Sequence, residues 1–142
     1  MDFAAAAERS AAATLFGLAG LHSAWATGWS WPAPDRAQLA DLMAGRAGGS
    51  VPSPTACAFV AALLTSASAL VAGQPRRLPR VRRLGAAGVA AAFAIRGACG
   101  LAGRTDLVSP GSTSTAFRRL DRRYYSPLCL ALAAAAASSA RR

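Results

Sequence analysis

Residues 84–103 read LGAAGVAAAFAIRGACGLAG, twenty positions with a single charge, Arg96. About 20 predominantly apolar residues cross the hydrocarbon core of a bilayer, so the stretch reads as a membrane span with a guanidinium inside it. Its glycines, Gly85, Gly88, Gly97, Gly100 and Gly103, would weaken a helix in water but suit helices that pack closely in lipid. The absence of charge recurs along the chain. Residues 10–34 and 47–75 hold no charged side chain, and 124–140 hold none before Arg141 and Arg142. Four spans follow, near 10–29, 55–73, 84–103 and 125–140, in one integral membrane domain over 1–142. The expected fold class is all-α, a four-helix transmembrane bundle. The 30–54 loop contains a short helical piece over 35–45, bounded by Asp35 and Gly45.

Composition agrees. Of 142 residues, 54% are hydrophobic and 15% charged, with Ala at 38 positions. Soluble domains carry about 25% charge, and a water-soluble helical bundle shows charges every third or fourth position on its outer faces. The basic residues are 16 Arg and no Lys against six acids, for a formal +10. They cluster at the ends of the apolar spans, where they serve topology and contact anionic headgroups, so no nucleic-acid partner is expected. Cys57, Cys99 and Cys129 stand one to a span and form no closely spaced pair, and there is one His. No metal site or cofactor is expected. Residues 11–21 followed by Ala24-Trp25-Ala26 share the pattern of a cleavable leader. Asp2 and Glu8 before the run and the bulky Trp25 argue for a retained span. Counting Arg per side gives eight against seven in favour of both termini being cytoplasmic, in an inner-membrane multi-pass arrangement.

A guanidinium near a bilayer centre costs roughly 2.5–3.5 kcal/mol on insertion scales, so Arg96 is expected to face a partner or water. Gly88, Ala92, Arg96 and Gly100 recur every four residues and form a small-residue face turned to a neighbouring helix. Gly20, Ala24 and Gly28 make a similar row on the first span, with His22, Trp25 and Trp29 on an adjacent stripe. Trp25, Trp29 and Trp31 at the end of that span fit an interfacial aromatic belt. His22 and Arg96 lie about 4 Å past the midpoints of spans that run the same way, and so share a leaflet. Loop three ends on that side with Asp121, Tyr125 and Ser126; Asp121 is placed to pair with Arg96 or His22. Ser126-Pro127 reads as a helix start, with Ser as cap. The polar cluster of His22, Trp25, Arg96, Asp121, Tyr125 and Ser126 is expected to bind an amphipathic or anionic small molecule or a lipid headgroup. Two other readings stand beside it: a membrane-embedded enzyme using His22 as acid/base, and an accessory or assembly subunit in which Arg96 is structural. Partners are the lipid bilayer and either a second copy or another membrane protein.

His22-x-x-Trp25 in a Gly-rich first span, the lone Arg96, and Phe117-x-x-x-Asp121-x-x-x-Tyr125-Ser126-Pro127-Leu128 together resemble the bacterial membrane proteins grouped as the domain of unknown function 3995 family. The resemblance implies a four-span integral membrane protein of no established activity. The Ala richness and missing Lys suggest a high-GC genome, as in actinobacteria.

Overall fold

The computed structural model describes residues 3–46 and 52–142. Among these the chain is all helical, without a strand. Helix α1 spans Phe3–Ala26, α2 Arg36–Ala44, α3 Pro54–Val71 and α4 Pro79–Leu101. A 3₁₀ turn, Thr105–Leu107, precedes α5 (Thr115–Leu120), which runs through a π turn (Asp121–Tyr125) into α6 (Ser126–Arg141).

Local chemistry sets these boundaries. Ala is the best helix former, so the alanines before residue 10 extend α1 upstream of the expected span. Its end moves back to Ala26, since Gly28 adopts φ 101°, a left-handed conformation that ends the run. Asp35 caps α2 by accepting from the Gln38 amide, and Gly45 closes it at φ 70°. Ser53 caps α3, with Pro54 in its first turn. Pro79 likewise opens α4, so Arg80, Arg82 and Arg83 ride on that helix's first turn and not on a loop.

The four longest helices pack on one another. The most extensive contacts join α4 to α6 and α1 to α3, and smaller ones link α1 with α6, α3 with α4 and α3 with α6. Both large pairs are antiparallel. Ser68 on α3 donates to the Ala12 carbonyl on α1 at 2.8 Å, whereas Trp25 and Cys57, at the other ends of those helices, share a buried cluster. On α4, Gly85 meets Leu70, and Gly97 meets Leu130 and the Ser126 carbonyl. The central cluster is mostly alanine: Ala11, Ala12, Ala67, Ala135 and Ala136, with Leu15, Val71 and Leu132. Small side chains bring helix axes close and let hydroxyls such as Ser68 and Ser139 reach carbonyls across the interface.

Charge ties one end of the molecule together. Arg142 pairs with Glu8 at 3.2 Å, and Arg83 donates to the Arg142 carbonyl. At the opposite end, α2 packs on α5, and the Gly45 carbonyl accepts from the Thr113 and Ser114 amides, each at 3.0 Å.

Of the four expected spans, α3 and α4 are long and apolar enough to cross a membrane. Although α1 has the length, Glu8 and Arg9 near its start and His22 near its end dilute its apolar character, and α6 has only 16 residues.

Two expected small-residue rows do not pack as such. Gly88 and Ala92 are exposed, and a Cβ on Gly88 or on Gly20 would touch nothing within 4 Å. The close approach on α4 keeps Gly100 from its expected row and otherwise runs through Gly85 and Gly97. An i, i+4 row drifts around a 3.6-residue helix by about 40° per step, so four such positions do not stay on one contact face.

Candidate functional site

The buried polar centre lies between α4 and the π turn. Asp121 has no exposed surface. Its Oδ1 accepts from Arg96 Nη2 at 2.5 Å, and its Oδ2 accepts from Thr105 Oγ1 at 3.0 Å. Arg96 stands five residues before the end of α4, about 7.5 Å along the axis, and its side chain is 25% exposed. The four arginines flanking Asp121 in sequence are exposed and make no ion pair with it. It balances Arg96 from across the fold.

Gly100 makes this approach possible. One turn after Arg96, a Cβ at that position would collide with Ser126 Oγ, with Asp121 Oδ2 and with Arg96 Nη1. Two of those atoms, Ser126 Oγ and Arg96 Nη1, are buried without a hydrogen-bond partner among the described residues. Contrary to the sequence reading, Ser126 is not a cap. The chain is already helical when it arrives, with φ −66° and ψ −45° at Ser126. Pro127 has no N–H to donate and its ring would press on the carbonyl four residues back. The wide turn absorbs that conflict: the Ser126 amide reaches back five residues to the Asp121 carbonyl.

The π turn sends neighbouring side chains in different directions. Ser126 faces Gly100 on α4. Tyr125 leans towards α2, where its hydroxyl donates to the Leu42 carbonyl at 3.4 Å and lies 3.7 Å from Met43 Sδ. Its ring is 6.1 Å from that of Phe117, which is buried against Gly45. The sequence element Phe117-x-x-x-Asp121-x-x-x-Tyr125-Ser126 is therefore a connector. Phe117 and Tyr125 hold α2, and Asp121 and Ser126 hold α4.

His22 and Trp25 belong to a second compartment. Their rings are 4.7 Å apart, and His22 Nδ1 lies 2.9 Å from the Leu18 carbonyl. Trp25 is buried and donates to the Trp31 carbonyl, so it is not a belt residue; Trp29 and Trp31, both exposed, stack on each other at 5.9 Å. His22 and Arg96 lie towards the same end of the molecule, four and five residues before their helices stop. No hydrogen bond, ion pair or ring contact joins them among the described residues. Tyr125 is the link between the compartments, through Met43, which lines the cavity beside His22.

Above the polar centre lies a cleft of about 520 Å³ lined by Gly100, Thr105, Arg118, Arg119, Arg122 and Arg123. The sequence reading treated these arginines as topology signals. Only the turn from α5 into the π segment gathers them on one side. Arg118 also donates to the Thr113 carbonyl, and Arg123 sits 5.4 Å from the Tyr124 ring centre.

Residues 15–136 match the family model described as protein of unknown function (DUF3995), and the chain belongs to that family. The match takes in both compartments and the connector. No curated protein and no solved structure matches the chain.

Proposed function

We propose that this member of the DUF3995 family is a multi-pass membrane protein that holds an anionic lipid by its headgroup in the arginine cleft. The membrane reading is supported by α3 and α4, whose apolar windows are only 22% buried within the protein. Phe59, Leu63, Leu84 and Ile95 on those helices are more than half exposed. A soluble monomer does not present apolar surface on that scale, whereas lipid tails cover it at no cost.

One observation carries the ligand reading. Among the described residues four arginines line the cleft and no carboxylate does, while Asp121, the nearest acid in sequence, is committed to Arg96 and Thr105. Guanidinium groups recognise phosphate by paired N–H donors. Exposed Leu101, Leu107 and Tyr124 stand within a few residues of the lining and suit an acyl chain. Arg96, first expected to anchor the ligand, instead supports the floor from below. Its charge is met within the chain, and the ligand's charge falls to the connector arginines.

Native mass spectrometry of the full chain in mild detergent tests this, using phosphatidylglycerol against phosphatidylcholine. The native protein retains the anionic lipid preferentially, and R119Q/R122Q weakens that retention by about thirtyfold, at about 1 kcal/mol per arginine. Equal retention of both lipids overturns the reading. Displacement by inorganic phosphate at equal concentration would reassign the cleft to a soluble phosphate compound.

A further inference from the structure

The second compartment has chemistry that a lipid site does not use. A cavity of about 130 Å³ is lined by His22 from α1, Met43 from α2 and Cys57 from α3, with Trp25, Leu39 and Val60 as apolar walls. In sequence these three residues are too far apart to form a recognisable ligand motif; the docking of α2 over α1 and α3 brings them to one cavity.

Each potential donor is held by a neighbour. His22 Nδ1 lies against the Leu18 carbonyl at 2.9 Å, a contact that places the ring proton on Nδ1 and leaves the Nε2 lone pair free. Met43 Sδ lies 3.7 Å from the Tyr125 hydroxyl, whose one proton goes to the Leu42 carbonyl at 3.4 Å, so the thioether sulfur keeps its lone pairs. Cys57 is buried, and its thiol donates to the Pro52 carbonyl at 3.8 Å. The ring of His22 is further steadied by Trp25.

We propose that His22, Met43 and Cys57 form a binding site for a soft monovalent metal ion, Cu(I). This site is separate from the arginine cleft and does not depend on the lipid reading. Thioether and thiolate sulfur with imidazole nitrogen is a soft donor set that selects Cu(I). Charge selects the same ion. Binding replaces the Cys57 S–H bond by an S–Cu bond and releases the proton to buffer, so thiolate and Cu(I) together are neutral. A divalent ion would leave one uncompensated charge between apolar walls, and among the described residues no Asp or Glu lines the cavity to neutralise it.

The test is anaerobic titration of the full chain in detergent with Cu(I), in competition with a chromophoric chelator. One ion binds per chain, with about one proton released. Second-shell changes alone weaken metal sites by about 10–100-fold. Removing a donor should therefore cost more than roughly 100-fold in C57S and in H22Q, and a clear loss is expected in the near-isosteric M43L. C99S/C129S binds as the native protein does. X-ray absorption of the loaded protein shows sulfur and nitrogen neighbours together. Failure of the native chain to compete, undiminished binding by C57S, or coordination by sulfur alone would each overturn the assignment. Helical circular dichroism confirms that each variant is folded.

Discussion

Arg96 Nη2 meets Asp121 Oδ1 at 2.5 Å across 25 residues of chain, and the carboxylate it meets has no exposed surface. Breaking a buried pair from one side strands the other charge, at a cost of about 3–5 kcal/mol, whereas replacing both partners with apolar groups is often neutral. D121L should therefore lower the thermal midpoint in detergent sharply, and R96L/D121L should recover most of the loss. If the double variant is as unstable as the single one, the pair is more than a mutual charge balance.

Glycine substitutions on α4 should split by position. G100A drives a methyl into Ser126, Asp121 and Arg96, whereas at Gly88 a Cβ meets nothing within 4 Å. G88A should be neutral or stabilising by up to about 1 kcal/mol through helix propensity. G100A should be destabilising by at least about 1–3 kcal/mol, the range for overpacking. Melting curves of the two variants, run side by side, decide it.

The docking of α2 rests on Gly45 and Phe117. Gly45 has φ 70°, and a Cβ there would lie 2.6 Å from Phe117 Cδ1. G45A should cost about 1–2 kcal/mol from strain and collision together. In an F117A background the collision with the ring disappears, leaving the backbone strain and the 2.9 Å approach to Ser112 Cβ, so the two substitutions should not add. Strict additivity in a double-mutant cycle would show that the contact is not felt.

Phe59 and Ile95 are 64% and 58% exposed on the outer faces of α3 and α4. In water, F59D or I95D would change stability by no more than about 0.5 kcal/mol. Facing lipid, each Asp costs about 2.5–3.5 kcal/mol near a helix centre. Insertion measured by a glycosylation reporter, or retention after alkaline extraction, should fall for both. Unchanged insertion would remove the membrane reading.

Much of the fold is legible in the sequence because its signals are local. Charge-free runs, Pro54 and Pro79 at helix starts, and the Asp35–Gly45 bracket around α2 each depend on a few neighbouring residues. The prominence of Arg96 and Asp121 is legible for the same reason, since a lone charge in an apolar run stands out. Which helix faces which neighbour is not. Rotational phase depends on tertiary packing, so Gly88 was indistinguishable from Gly97 until Leu130 appeared opposite the latter. The separation of His22 from Arg96 follows from phase as well: shared depth does not imply a shared face. Ser126-Pro127 carried a start signal, but the π turn lets the chain enter the proline already helical.

That wide turn has a consequence for how the chain tolerates change. It holds one residue more than a regular turn would, and each residue rotates a helix by about 100°. Deleting a residue between Asp121 and Tyr125 would leave a regular turn that delivers α6 in nearly the same phase, whereas adding one would rotate Leu130, Leu132 and Ser139 by about 100° away from Gly97, the alanine cluster and Leu70. For the packing of α6 the segment therefore accepts the loss of a residue more readily than the gain of one, since the wide turn already holds its extra residue.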